Sequence, residues 1–351
     1  LGWILNLIFE ALQALGMGNA ALCIIIFTIF IKAAMIPANY KQQKSQKLMN
    51  AIQPQIKKIT DKYKGKKDNA SMMKQQNEMQ AVYDKYGVSP TSGCLPSLVT
   101  MLVVFALYRV VYNIYEYIPY INNLYTEVAN AMVESGAEVG KILEKFSAPE
   151  LKYNGSEKVD EINKVLNSLK PEQWEKLATE FSKTSKDCVA VINSNSKELI
   201  KIHSFIGGLN VKYAPTDVMW PGMLVPVLAL VTQVYSIRQM TKKNNQTQDM
   251  KDNPMMQSMM TMNKIMPLFS FFVCLSLPIG VGIYWILSSL LQIIQQFVFD
   301  IKLKKIDIDE MVKQNIEKAS KNIVQAINAD EMSSFVGCML NSQGSMVNRK
   351  F

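Results

Sequence analysis

Apolar residues are gathered into runs along this chain rather than spread evenly. Five runs stand out, at residues 20–36, 95–112, 218–237, 265–277 and 279–299. Lys32 and Arg109 are the formal charges inside them, and none contains Asp or Glu. A helix needs about 20 apolar residues to cross the hydrocarbon core, and it satisfies its own backbone groups there. The fourth run, with about 13 residues at 1.5 Å each, is short for a core of about 30 Å. Either its helix begins back in the segment holding Met255, Met256, Met259, Met260, Met262 and Met266, or the bilayer is thin beside it. Pro278 and Gly280 then turn the chain straight into the fifth run.

The pattern predicts an all-α polytopic membrane protein: five transmembrane helices, a cytoplasmic two-helix hairpin and an extracytoplasmic helical insertion. An interfacial amphipathic helix takes residues 1–18, where Trp3, Ile4, Leu7, Ile8, Ala11, Leu12 and Leu15 recur at helical spacing. The spans fall at 19–38, 93–116, 217–238, 264–278 and 279–300. Pro37 is expected to end or kink the first. Between the first two lies the hairpin, 39–92. Leu48, Ile52, Ile56 and Ile59 form the stripe of one arm, and Met72, Met79, Val82 and Tyr86 that of the other. Residues 63–67 make the turn, Asp68 or Asn69 is the N-cap, and Pro54 kinks the first arm. The insertion, 117–216, holds helical stretches such as Val159, Ile162, Val165, Leu166 and Leu169, and Pro171 suits a first helical turn. No site is apparent in it, and it reads as a spacer. A loop at 239–263 and a basic tail at 301–351 complete the chain.

Charge orients this plan. The net charge is +9. Residues 39–92 hold eleven Lys against four acids, and 238–264 hold five bases against two. The tail holds eight bases against six acids, whereas 113–217 is acidic by three charges. By the positive-inside rule the first three segments lie in the cytoplasm, the N-terminus lies outside and the C-terminus inside. The five cysteines, Cys23, Cys94, Cys188, Cys274 and Cys338, show neither metal-ligand nor disulfide spacing. The first residue is not Met, which is compatible with a removed signal peptide.

Polar residues inside the spans carry the candidate chemistry. A Lys near the middle of a membrane helix costs about 2.5–3.5 kcal/mol on insertion scales. Lys32 lies five residues before Pro37, so its long side chain can snorkel to the headgroups. The other reading is a wet groove. Thr28 shares the face of Lys32, the third span carries Thr232, Gln233 and Ser236, and the fifth carries Tyr284, Ser288 and Gln292, with Trp285, Gln295 and Gln296 nearby. With no carboxylate in any of the five apolar runs, Lys32 would be open to an acidic group on a visitor. Arg109 lies at the outer end of its span beside Tyr108 and Tyr112, the usual place of an aromatic belt. His203 falls in the insertion and is expected at the surface; it supplies no Ser/His dyad in the bilayer, and H-E-x-x-H is absent. A secondary transporter would ordinarily show repeated halves and, if proton-coupled, intramembrane acids. It and a structural membrane scaffold are the rival readings.

Several of these features occur in a recognisable order. Thr28-Ile29-Phe30-Ile31-Lys32 precedes Pro37, and Leu48 precedes Gln53-Pro54. Tyr86-Gly87-Val88-Ser89-Pro90 and Gly93-Cys94-Leu95-Pro96 lead into the second span, and Leu277-Pro278, Tyr284-Trp285 and Gln295-Gln296 close the membrane part. This set resembles the YidC-type membrane protein insertases, bacterial relatives of the mitochondrial Oxa and chloroplast Albino proteins. The chain departs from them at Lys32, where Arg is usual, and in its long outer insertion. The resemblance implies a groove open to cytoplasm and lipid, with Lys32 at its centre. It also implies an apolar slide along spans two and four, assigned to Leu98, Met101, Met266 and Phe269. Nascent membrane proteins are the implied substrates. A ribosome, a Sec-type translocon and anionic phospholipids are candidate partners, and no nucleic acid is read directly. The expected location is the bacterial plasma membrane. No catalytic residue, metal or cofactor is assigned, and no phosphate-binding Gly-rich loop is present to use a nucleotide.

Overall fold

The computed structural model describes residues 2–66, 68–89, 95–241, 254–304, 307, 310, 312–317 and 321; the side chains of 95–97, 150, 241, 254–260 and 262–264 are outside that description. The expected Pro90 to Cys94 motif, most of the loop at 239–263, the side chains of Met255, Met256, Met259, Met260 and Met262, and most of the basic tail therefore lie outside it.

Among the described residues the chain is all-α. In order the helices are α1 (Gly2–Ala14), α2 (Ala20–Lys62), α3 (Asn69–Tyr86), α4 (Leu95–Tyr112), α5 (Ile114–Tyr117), α6 (Pro119–Glu134) and α7 (Val139–Glu144). They continue with α8 (Val159–Ser168), α9 (Pro171–Phe181), α10 (Lys186–His203), α11 (Pro215–Val218), α12 (Leu224–Thr241), α13 (Pro254–Ser276) and α14 (Ile279–Lys304). Extended pairing among these residues is limited to an isolated bridge between Ser204 and Asn210. Two of the helices, α2 and α14, are long and apolar enough to cross a membrane, and shorter apolar stretches occupy Leu98–Tyr112, Leu224–Met240 and Ile265–Ser276.

Two helices extend beyond the apolar runs that they contain. The helix that holds the first run does not stop at Pro37: α2 is one helix of 43 residues with Pro37 and Pro54 inside it. Each Pro removes one backbone hydrogen bond, and the Ala, Lys and Gln residues that follow Pro37 are good helix formers that carry the helix past it. The short fourth run is the end of a longer helix, because α13 begins at Pro254 and has 23 residues, about 34 Å.

The chain divides into two compact units, the first made of Leu1–Met35, Val99–Gln239 and Asn263–Ile294. Its core runs without interruption from α1 and the start of α2 through α4, the insertion helices and the start of α14, with Phe9, Phe27, Leu107, Ile121, Phe181 and Tyr284 among its members. The insertion is thus built into this core. Within it, Ile162, Val165 and Leu166 are buried along α8 and Leu169 just past its end, as the periodicity predicts, and Trp174, Leu177 and Phe181 bury one side of α9. Each such side chain contributes about 1.5–3 kcal/mol on leaving water. Helix α1 turns Leu5, Phe9 and Leu12 into the core. Most of its expected stripe faces the other way, with Trp3, Leu7 and Leu15 exposed. The start of α14 is tightly enclosed: a methyl group on Gly280 would stand 2.8 Å from Cδ1 of Ile24, and one on Gly282 would stand 2.3 Å from Cγ1 of Val225.

The expected surface position of His203 is incorrect. It is 3% exposed and lines a small apolar cavity with Leu5, Cys23, Ile24, Val110 and Val211. These neighbours come from remote parts of the chain, which is why local polarity misplaced it. Its Nδ1 donates to the Leu199 carbonyl at 2.7 Å, and its buried Nε2 has no partner among the described residues. Burial, reinforced by the nearby Lys212 charge, pushes its pKa down to about 4. Lys212 donates to the Asn167 side-chain oxygen at 2.7 Å and also to the Asn167 carbonyl, and burial lowers its pKa to about 7.

The second unit comprises Ile36–Leu98, Met240–Met262 and Gln295–Phe351. Leu48, Met49, Ile52 and Ile56 of α2 pack with Met79 and Tyr83 of α3 and with Val88. The chain reverses between these two helices, where Asp68 caps α3 by accepting from the Ser71 amide at 2.8 Å. Met72, expected in the α3 stripe, is 51% exposed, and Tyr83 is buried there instead. The buried stripe begins at Met79, about two turns later; Met72 lies in the first turn of α3, beside the reversal.

Candidate functional site

Three helices of the first unit carry the polar residues singled out in the apolar runs: α2, α12 and α14. Their N-terminal ends meet. Gly280, in the first turn of α14, touches Ile24 near the start of α2, and Gly282 touches Val225 near the start of α12. The first turns of the three helices are therefore close together. Phe27, Ala229 and Tyr284 belong to one buried core at that end.

Beyond this apolar layer the polar positions fall at matching depths along each helix. Thr28, Thr232 and Ser288 lie about 12–14 Å from the starts of their helices, and Lys32, Ser236 and Gln292 about 18–20 Å. Thr28 is fully buried, and Ser236 and Ser288 nearly so. Gln233, Trp285 and Gln292 are half-buried. Two buried serines escaped the sequence reading, Ser289 on α14 and Ser270 on α13. An isolated Ser in an apolar run gives no periodic signal.

The hydroxyls are largely satisfied within their own helices. Thr28 donates to the Ile24 carbonyl at 2.6 Å, Thr232 to the Leu228 carbonyl at 2.8 Å, and Ser270 to the Met266 carbonyl at 2.9 Å. This is the usual arrangement for Ser and Thr in apolar helices. Two groups differ. The side-chain oxygen of Gln233 is buried with no hydrogen-bond partner among the described residues. Lys32 is half-buried, and no carboxylate or carbonyl among the described residues accepts from its ammonium group.

Gln295 and Gln296 do not join this set. They lie in the second unit, where Asn39 donates to Gln295 at 3.0 Å and Gln43 to Gln296 at 2.6 Å. The four residues assigned to a slide are outward-facing: Leu98 is 55%, Met101 54%, Met266 39% and Phe269 57% exposed. No group of three or more metal-ligating side chains occurs among the described residues.

The model of the 60Kd inner membrane protein family matches residues 12–310. A Bacillus anthracis protein named membrane protein insertase YidC 2 is 43% identical over 93 residues, covering 26% of this chain and 36% of that protein. The membrane protein insertase YidC of Phocaeicola vulgatus is 38% identical over 114 residues, 32% of this chain and 18% of that protein. Membrane protein insertase MisCA of Bacillus subtilis is 38% identical over 93 residues, 26% of this chain and 35% of that protein. The chain thus spans about a third or less of the length of these relatives. With most of its length matched by one family model, from the end of α1 through α14, the chain belongs to the 60Kd inner membrane protein family, among the YidC-type proteins.

Proposed function

We propose that this protein is a membrane protein insertase and chaperone with five spans, its N-terminus outside and its C-terminus in the cytoplasm. The apolar stretches of α2, α4, α12, α13 and α14 supply the spans, α1 lies in the outer interface, and the α2–α3 reversal and the basic tail face the cytoplasm. The names of the relatives support the activity. The observation that carries the mechanism is Lys32, a half-buried cation without a partner among the described residues, at the same depth as Ser236 and Gln292.

In this reading Thr28, Lys32, Thr232, Gln233, Ser236, Tyr284, Trp285, Ser288 and Gln292 line a groove open to the cytoplasm and to lipid. A short hydrophilic tail of the substrate enters it, and Lys32 attracts an acidic residue. Polar walls replace part of the tail's hydration and lower the cost of moving it into the membrane. The substrate's apolar helix leaves along Leu98, Met101, Met266 and Phe269. Entry of that helix into lipid supplies the driving force, so no nucleotide is consumed. The Lys-rich second unit suits a ribosome, anionic phospholipids or a Sec-type translocon as partners.

The test is insertion of a small single-span substrate with a short acidic tail into liposomes holding the purified protein. Insertion should exceed that in empty liposomes. Lys32→Ala should lose most of the gain and Lys32→Arg should retain it. No gain with the native protein would remove the insertase reading, and full activity of Lys32→Ala would reduce Lys32 to a snorkelling residue.

A further inference from the structure

Between α10 and α11 the chain makes a tight loop at 205–209 whose tip is apolar. Ile206 is 78% exposed there, more than any other large apolar side chain among the described residues. The loop is a defined structure. The Phe205 amide donates to the Leu209 carbonyl at 2.6 Å, and the Gly208 amide to the Phe205 carbonyl at 3.1 Å. Gly207 and Gly208 have φ of 74° and 78°, a left-handed pair that glycine adopts without strain. Phe205 and Leu209 pack against the core, and no charged residue occurs from Ser204 to Val211. An exposed branched aliphatic side chain, held outward by two glycines between two packed apolar residues, is costly to keep in water.

The base of the loop is tied to the ends of two apolar helices. On one side the Asn19 side chain donates to the Ser204 carbonyl at 2.7 Å. The same side chain accepts from the Ala21 and Leu22 amides at 2.9 and 3.2 Å, capping α2. On the other side the Val211 carbonyl accepts from Gly280 in the first turn of α14 at 2.7 Å. Both of these helices are long and apolar enough to cross a membrane. The loop is thereby held level with their N-terminal ends. Trp220, 73% exposed and just before α12, lies at a third such end, a usual place for interfacial aromatic residues.

We propose that the loop at 205–209 is a membrane anchor, with Ile206 inserted into the headgroup and upper acyl region of the outer leaflet. The occupant of this apolar surface is phospholipid, since the loop is continuous with helices whose own outward faces are apolar. Such an anchor fixes the height of the insertion over the bilayer and gives it a second attachment beside its core. The inference rests on the five-span orientation proposed above.

The test places an environment-sensitive nitrobenzoxadiazole probe on Ile206→Cys in the full chain, in phospholipid nanodiscs. Cys94 and Cys338 are changed to Ser; Cys23, Cys188 and Cys274 are buried, and a sample without the new cysteine measures their background labelling. Phe105→Cys, on the exposed face of α4, serves as the membrane control, and Glu138→Cys, on the exposed surface of the insertion, as the water control. The Ile206 probe should emit to the blue of the Glu138 probe. It should be quenched by spin labels placed shallow in the lipid and be protected from aqueous iodide. Iodide quenching equal to that at Glu138, with the Phe105 probe in lipid, would overturn the anchor and leave the five-span reading standing. Protection from both iodide and lipid quenchers would mean a protein-covered site and would also overturn it. A Phe105 probe in water would remove the five-span reading itself and the anchor with it.

Discussion

Gln43 and Gln296 meet amide to amide, with Nε2 of Gln43 donating to Oε1 of Gln296 at 2.6 Å. Gln296 is 6% exposed and donates onward to Asp300 at 3.0 Å. One helical turn before Gln43, Asn39 donates to Gln295 at 3.0 Å, and the Tyr40 and Phe299 rings meet edge to face at 5.5 Å. The polar end of α14 is thus used to fasten it to α2 within the second unit.

Removing one member of the amide pair leaves the other unsatisfied in a mostly closed environment. Gln296→Leu should therefore cost about 1–3 kcal/mol, and Gln43→Leu a similar amount. Together they should cost less than the sum, since neither amide is then left alone. A double-mutant cycle on denaturant unfolding in mild detergent measures the coupling, and strict additivity would show that the contact contributes nothing.

Acid should destabilise the protein through His203. The unfolded chain takes up this proton near pH 6.5, whereas burial and the Lys212 charge hold the folded pKa at about 4. Between these values the unfolded state binds more protons, so stability falls as pH drops from 6.5 to 4 and is unaffected by this group above that window. The loss amounts to on the order of 3 kcal/mol, because each pH unit between the two values is worth about 1.4 kcal/mol. His203→Leu should flatten that part of a profile of melting temperature against pH; an unchanged slope would assign it to the carboxylates.

Close approach of α14 to its neighbours makes Gly282 intolerant of a side chain. The added methyl of Gly282→Ala would fall 2.3 Å from Val225 and 3.1 Å from the Cys274 sulfur. Overpacking of this kind costs about 1–3 kcal/mol. Val225→Ala in the same chain should restore part of the loss, measured as the midpoint of unfolding. Gly282→Ala at native stability would mean that the helices separate easily there.

Gln233 separates a structural from a functional account of the polar layer. Its buried oxygen has no partner among the described residues, so Gln233→Leu should leave stability unchanged or raise it by about 1 kcal/mol. If the groove is wet, insertion in liposomes should nevertheless decline. A stable variant with native insertion activity would remove Gln233 from the groove.

Elements decided by local pattern were legible in the sequence. The second apolar run coincides with the bounds of α4, and the α8 stripe is buried at Ile162, Val165 and Leu166 as its spacing requires. Helix α1 was harder because it has two apolar faces. Periodicity finds both but does not say that Leu5 and Phe9 take the protein side while Trp3 and Leu7 remain exposed. His203 was misplaced for a related reason: residues near 5, 24 and 110 enclose it, and no local pattern encodes them. Of the candidate site, the common depth of Lys32, Ser236 and Gln292 follows once helix starts are known. The return of the Thr28 and Thr232 hydroxyls to their own backbones depends on rotamers, which a sequence does not state.

Asn19 caps α2 with its oxygen and holds the Ser204 carbonyl with its nitrogen, across 185 residues of chain. Residues are joined in order during synthesis, so the oxygen finds its partners almost at once while the nitrogen waits for another 185 residues. The N-terminal end of α2 is therefore finished only after that stretch of chain has been added. Until Ser204 arrives, the newborn protein holds that end with half of its final attachment, an interval that chain growth alone brings to a close.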